Sequence, residues 1–163
     1  MIWTIPKVKY VEIKDAGPIK SFSSGFKEGI TMICGPNASG KTTIVNCILA
    51  CLCGKEVVGK GEVKLELASK NVEVQLLNKK LSPLPDERMS WGERHMLELE
   101  YALKNIGESQ ALLVDDFGER LDPDNLAKVL KKIKGKNVQA IITTQDKGML
   151  KHAGNVVRIG ERK

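Results

Sequence analysis

The sequence predicts an α/β fold: a three-layer core around a mainly parallel sheet, with an N-terminal antiparallel β subdomain and a β hairpin. Three observations predict it. Short apolar runs (30–34, 111–114 and 138–143) are each followed by a turn or a helical pattern, as buried parallel strands are. The first of them leads into Gly35-Pro36-Asn37-Ala38-Ser39-Gly40-Lys41-Thr42-Thr43, a glycine-bounded loop that opens a helix. The segments around 8–26 and 62–77 alternate apolar and polar residues instead, the pattern of strands with one solvated face.

Taken in order, residues 8–14 read as a strand through Val8, Tyr10, Val11 and Ile13, and Gly17-Pro18 marks a turn. Ile19 to Phe26 reads as a second strand, and Lys27-Glu28-Gly29 as the connection into 30–34. Ile44, Ile48, Leu49 and Leu52 give the helix after the loop its apolar face. Residues 62–68 and 72–77 alternate around Ser69-Lys70-Asn71 and are expected to pair as a hairpin. Ser82-Pro83-Leu84-Pro85-Asp86 is a rigid connector. A long amphipathic helix follows over about 91–106, with Met96, Leu97, Leu99, Ala102, Leu103 and Ile106 inward. Pro123 to Lys134 is a helix with Asp122 as N-cap and Pro123 at its first position. Residues 156–159 form a last strand. No repeat, low-complexity tract or linker divides residues 1–163, which read as one domain.

At 163 residues the chain can bury a real core, and 42% hydrophobic and 28% charged residues are ordinary for a globular protein. No apolar run approaches the roughly 20 residues that cross a bilayer, and Met1-Ile2-Trp3-Thr4-Ile5-Pro6-Lys7 lacks signal-peptide order. No membrane role and a cytoplasmic location are expected. Cys34, Cys47, Cys51 and Cys53 have no CxxC spacing and no neighbouring His, so small apolar packing explains them before zinc or a disulfide does. Lys and Arg number 26 against 20 acids, a net charge of +6 that allows contact with nucleic acid without requiring it. The densest basic stretch, Lys128, Lys131, Lys132, Lys134 and Lys136, lies opposite Leu126, Val129, Leu130 and Ile133 and reads as a solvated helix face.

Residues 35–43 fit GxxxxGK[ST], the phosphate-binding P-loop, so the predicted core is that of a P-loop NTPase. Consecutive backbone N–H groups curl around a polyphosphate, and a helix N-terminus points its partial positive charge at the same anion. Gly35 and Gly40 permit the tight backbone, Lys41 reaches the β- and γ-phosphates, and the Thr42 hydroxyl is placed to ligate Mg²⁺. Asp115-Asp116 closes the run Ala111–Val114, where Asp115 can hold Mg²⁺ and Asp116 can polarise the attacking water. Ser90 and Glu93 open the long helix with the residues of a capping box, which by itself would explain them.

These residues together resemble an ABC-class ATPase head of the SMC/RecF type, a minimal P-loop ATPase domain. Gly35–Thr43 matches its Walker A motif, Ser90-Trp91-Gly92-Glu93 its shortened signature Ser-x-Gly-Glu, and Ala111–Asp116 its Walker B motif. Leu121-Asp122 falls at the D-loop, and Thr144-Gln145-Asp146 takes the place of the switch histidine. Val11-Glu12-Ile13-Lys14, Gly17-Pro18-Ile19 and Phe26–Ile30 also fit. The resemblance implies ATP and Mg²⁺ as cofactors, with Pro36, Asn37, Ala38, Ser39 and Thr43 around the phosphates beside Gly35, Gly40, Lys41 and Thr42. It implies a head-to-tail, ATP-dependent homodimer in which Ser90, Gly92 and Glu93 of one copy complete the site of the other. Lys41, Asp116 and Gln145 become its catalytic residues, and Gln75 its Q-loop metal contact or, equally, a solvent-facing strand residue. DNA, or a DNA-repair protein, becomes the expected partner.

The chain departs from that pattern at informative places. Asp116 stands where the family has Glu, and Gln145 where it has His; a shorter acid and a side chain that cannot carry a proton both predict slow hydrolysis. Trp91 replaces a small residue and packs either at the dimer interface or in the local core. Tyr10 either touches the base or packs within its sheet. About 48 residues separate Thr42 from Ser90, too few for a transporter's helical subdomain or a long coiled coil. The expected function is an ATP-dependent dimerisation switch in DNA repair or chromosome maintenance. An ATP-binding regulatory module with little catalysis, and a transporter ATPase subunit, are the competing readings.

Overall fold

The structure, a computed structural model, describes residues 2–53, 61–68, 75–76, 91–118 and 121–161. Its backbone is a six-stranded sheet in the order β6-β1-β7-β8-β4-β9. The strands are β1 (Ile2–Pro6), β4 (Ile30–Cys34), β6 (Gln75–Leu76), β7 (Gln110–Val114), β8 (Gln139–Thr144) and β9 (Asn155–Arg158). The β7-β8, β8-β4 and β4-β9 pairs are parallel, and β1 alone runs against its neighbours. A second sheet, β3 (Ile19–Gly25), β2 (Val8–Ala16) and β5 (Glu62–Leu67), is antiparallel throughout. The mainly parallel core and the antiparallel N-terminal subdomain are therefore as the sequence predicts.

Alternation along each central strand splits the core in two. Met32, Leu112, Val114, Ala140 and Ile142 face one side, where they pack with Leu99, Ala102 and Leu103 of helix α2 (Trp91–Asn105). Leu126, Val129, Leu130 and Ile133 of helix α3 (Pro123–Lys136) complete that cluster. Ile33, Ala111, Leu113 and Ile141 face the other side and meet Ile44, Val45, Cys47 and Ile48 of helix α1 (Lys41–Cys53). The antiparallel sheet covers the outside of α1 through Val11, Ile13 and Phe22. Each fully buried Leu or Ile contributes roughly 1.5–3 kcal/mol by leaving water, so the two helix layers are fixed independently against one sheet.

Helix α3 begins as its sequence says it should. Asp122 Oδ1 accepts from the N–H groups of Asp124 (3.1 Å) and Asn125 (3.0 Å), with Pro123 in the first turn. These bonds, the Asn125 N–H first, hold the Asp122 carboxyl below its usual range. Asn137 ends the helix in the left-handed region, at φ 51°.

Two expectations need correction. The segments 62–68 and 72–77 do not form a hairpin among the described residues: β5 pairs with β2, while Gln75–Leu76 pairs with Trp3 and Thr4 of β1 in the other sheet. The reason is cross-strand packing: Val63 and Leu65 lie opposite the buried Ile13 and Val11 of β2, while Gln75–Leu76 adds to the other edge of β1. The proposed turn Ser69-Lys70-Asn71 and the connector Ser82–Asp86 lie outside the described residues. The cysteines are all free, but only Cys34 and Cys47 are buried; Cys51 and Cys53 are exposed on the last turn of α1.

Candidate functional site: the P-loop edge

The carboxyl ends of β4, β7 and β8 meet along one edge of the sheet, where ligands of open α/β sheets bind. Their registers set the level of each residue. Cys34 lies opposite Thr144 and Val114 opposite Ile142, so the residues that follow emerge side by side. The Gly35 N–H donates to the Thr144 carbonyl (3.3 Å), tying the start of the loop to the strand that leads to Gln145. Gln145 itself is exposed on the turn after β8.

The loop is held by close packing. A Cβ on Gly35 would lie 2.6 Å from the Ile159 carbonyl, and one on Gly40, at φ +102°, would lie 2.7 Å from the Ile19 side chain. No other residue fits either place without displacing Ile159 or Ile19. Ala38 adopts φ 61° despite its Cβ, a conformation that costs an L-residue roughly 1–2 kcal/mol. Lys41 is 5% exposed, and its Nζ donates to the carbonyls of Gly35 (2.8 Å) and Pro36 (2.9 Å). The loop's own carbonyls thus hold the ammonium inside the curl that a phosphate would enter. The Ser39 Oγ is buried with no partner among the described residues. Thr42 is exposed at the first turn of α1, whose first ladder bond runs from Ile44 N–H to Gly40 O (3.0 Å).

Asp115 is 9% exposed, at the end of β7. The Thr143 hydroxyl donates to its Oδ1 (2.6 Å) and accepts from the Asp116 N–H (2.9 Å). Phe117 N–H donates to the Thr143 carbonyl (3.0 Å). One fully buried threonine on β8 therefore braces the whole turn 115–117. The reading of the sequence missed it, because Thr143 is an ordinary strand residue until the register puts it level with Asp115. Asp116 is half-buried at φ 52°, a left-handed conformation that Asp tolerates better than Glu does.

Thr143→Val keeps the shape of β8 and removes both bonds. The expected loss is about 1–3 kcal/mol, because a buried carboxylate loses a donor and a backbone N–H loses an acceptor. The expected readout is a lower denaturation midpoint together with slower ATP turnover, while Thr143→Ser retains both. An unchanged midpoint in the valine variant would contradict the bracing role.

The donor set suits Mg²⁺, which is commonly bound by one or two carboxylates plus phosphate oxygens rather than by an all-protein cage. Thr42 and Asp115 would hold it. Among the described residues no cluster of three or more His, Cys, Asp and Glu forms a metal cage. Gln75 is a correction: β1, β7 and β8 separate its strand from β4, which at about 4.8 Å per strand is on the order of 19 Å. It is not brought to Thr42, because β6 pairs with β1, with β7 and β8 between β1 and the P-loop strand. Tyr10 is half-buried in the antiparallel sheet, and its hydroxyl donates to Glu12 (3.2 Å).

Gly92 and Glu93 do not join the P-loop. They open α2, which packs on the opposite face of the sheet from α1. There they line a cavity with Leu121, Asp122 and Asn125. Ser90 lies outside the described residues. His95, one turn into α2, is buried with its ring 5.9 Å from that of Phe117. Burial pulls its pKa down to about 4, so it is neutral at pH 7. The helix carrying Gly92 and Glu93 thus rests directly on the residue after Asp116.

Known proteins give the same picture. A family model described as an AAA domain matches residues 11–147. Endonuclease MutS2 of Carboxydothermus hydrogenoformans is 27% identical over 139 residues, 80% of this chain and 17% of that protein. DNA replication and repair protein RecF of Geobacter sulfurreducens is 37% identical over 59 residues, 36% of this chain and 16% of that protein. The chain thus spans less than a fifth of the length of these curated relatives. An SMC head bound to the C-terminal winged-helix domain of ScpA superposes with a TM-score of 0.75 at 15% identity, covering 96% of this chain and 95% of that one. With most of its length inside the matched model, the chain belongs to this AAA domain family, and its architecture is that of an ABC-class P-loop ATPase head of the SMC/RecF type.

Proposed function

We propose that residues 1–163 act as one ATPase domain that binds ATP with Mg²⁺, hydrolyses it slowly, and pairs head to tail with a second copy while ATP is bound. The observation that carries this reading is the separation of the two motif groups. Gly35–Thr43, Asp115 and Asp116 share one sheet edge, while Gly92 and Glu93 start a helix on the opposite face beside Leu121-Asp122. A single chain thus offers half a site on each of two surfaces, and two copies related by a two-fold axis complete both halves at once.

In this reading the loop N–H groups of 36–43 receive the phosphates, and the Lys41 ammonium exchanges the Gly35 and Pro36 carbonyls for phosphate oxygens. Thr42 and Asp115 would hold Mg²⁺, which when bound would supply charge neutralisation at those oxygens. Asp116 orients the attacking water and draws its proton, and Gln145 fixes the water's position by hydrogen bonding alone. Ser90, Gly92 and Glu93 of the second copy present a helix N-terminus to the γ-phosphate. Losing that phosphate removes the shared anion, so hydrolysis releases the pair. The short acid at Asp116 and the non-titrating Gln145 make turnover slow. An ATP-binding regulator with little catalysis is the reading those same two residues favour second.

The relatives' names point to DNA replication and repair, and the net charge of +6 agrees. We place the domain's task there, in the cytoplasm, with DNA or a DNA-bound protein as its partner. Among the described residues no helix is long and apolar enough to cross a membrane. The test is the kinetic order of phosphate release. A site shared between copies predicts that turnover per chain rises with protein concentration; a constant turnover per chain at all concentrations would contradict sharing.

A further inference from the structure

The C-terminal part of α3 carries a charge density that the ATP site does not use. From Leu126 to Val138 the chain holds Lys128, Lys131, Lys132, Lys134 and Lys136 and no Asp or Glu. All five lysines are exposed, while Leu126, Val129, Leu130 and Ile133 bury the opposite side. Lys128, Lys132 and Lys136 recur at every fourth residue, so they form a row about 12 Å long with roughly 6 Å between members. Lys131 flanks the row. On its other side a groove between the helices is lined by Glu100, Leu103, Lys104, Lys132, Gly135 and Lys136.

Two ordinary explanations fall short. The helix dipole favours cations in the last turn, which accounts for Lys134 and Lys136 but not for the three lysines before them. A face that only keeps a protein soluble mixes both signs. Here Lys132 pairs with Glu100, and the other four make no ion pair with a described residue. Besides the lysines, the exposed residues of 126–138 are Ala127, Gly135 and Asn137. With no large apolar side chain the face has nothing to bury in lipid. With no aromatic it has no platform for unstacked bases. A straight row of cations suits the regular phosphates of a duplex, spaced about 3.4 Å per strand along the axis.

We propose that this face of α3, widened by Lys104, binds the phosphate backbone of duplex DNA without reading its sequence; the inference rests on the DNA role given under Proposed function and assigns it a surface. The test uses the full chain, a short fluorescently labelled duplex and a salt titration. One variant combines Lys128→Gln, Lys131→Gln and Lys136→Gln. A control with the same charge change combines Lys9→Gln, Lys14→Gln and Lys64→Gln, all exposed on the antiparallel sheet, which packs on the other side of the central sheet from α3. Circular dichroism and ATP binding check that both variants fold. The α3 variant is expected to bind at least about tenfold more weakly, with a salt slope smaller by about 2–3, since each lost phosphate contact removes about 0.9. The control is expected to keep the wild-type slope. If the wild type binds and the α3 variant binds equally well, this surface is wrong and the DNA role stands. If the wild type binds no duplex even at low salt, the DNA role itself fails and takes the surface with it. Binding to phosphatidylserine vesicles but not to duplex would likewise overturn the inference and assign the row to lipid.

Discussion

Lys41→Ala is expected to lower ATP turnover by about 100-fold or more, the scale set by removing a preorganised charge from a developing anion. Two losses combine. The ammonium that would follow the β- and γ-phosphates is gone, and the Gly35 and Pro36 carbonyls lose the donor that now holds the loop in its curl. Hydrogen bonds from charged groups contribute about 1.5–3 kcal/mol each, so the loop's shape and the affinity for ATP should fall together. Lys41→Arg is not a rescue, because the planar guanidinium is larger than the 5%-exposed space the lysine occupies. Phosphate release and binding of a fluorescent ATP analogue check both effects. Turnover within twofold of wild type would mean that the measured activity arises elsewhere.

Asp116 is expected to set the rate without setting the affinity. Asp116→Asn preserves the side-chain shape, suits the φ of 52° and leaves the N–H bond to Thr143 in place. It removes only the charge and the proton acceptor, so turnover should fall by roughly 100-fold or more while ATP still binds. Asp116→Glu moves the carboxylate outward by one methylene and is expected to raise turnover by about tenfold, which is 1.4 kcal/mol off the barrier. The same change should cost up to about 1 kcal/mol of stability, because Glu is less at ease in the left-handed region. A Glu variant with an unchanged or lower rate would contradict the idea that the short acid makes this ATPase slow.

The parts of the fold that were legible in the sequence are those written in local chemistry. The apolar run 30–34, the glycines at 35 and 40, and the Asp122-Pro123 start of α3 each dictate a backbone shape by themselves. What was not legible depends on partners far away in sequence. All five residues of β1 are buried, so it shows no alternation, and only its place between β6 and β7 makes it a strand. The alternation of 62–68 and 72–77 predicts two strands but not their partners, and Glu62–Leu67 and Gln75–Leu76 go to different sheets. Within the site, the motifs pick out Lys41, Thr42, Asp115 and Asp116. They say nothing of Thr143, whose hydroxyl matters because one register brings it to Asp115. Gln75 failed for the same reason as the hairpin, since spacing along the chain does not say which edge of a sheet a short strand joins.

The structure also sharpens the link between the two motif groups. Gly92 and Glu93 sit on a different face from the P-loop, yet their helix touches the 115–117 turn of the same chain through His95 on Phe117. A shift of the 115–117 turn therefore bears on the helix that would meet the other copy's phosphate.

In the proposed reading one chain carries one half of each of two sites, and the mass of the protein in solution is the sharpest check of that sharing. Sedimentation velocity of the Asp116→Asn protein, in which ATP persists, is predicted to show a dimer with ATP and Mg²⁺ and a monomer with ADP or no nucleotide. Adding Ser90→Arg should abolish the dimer while ATP still binds. A protein that stays monomeric with ATP, or a dimer indifferent to nucleotide, would contradict the account.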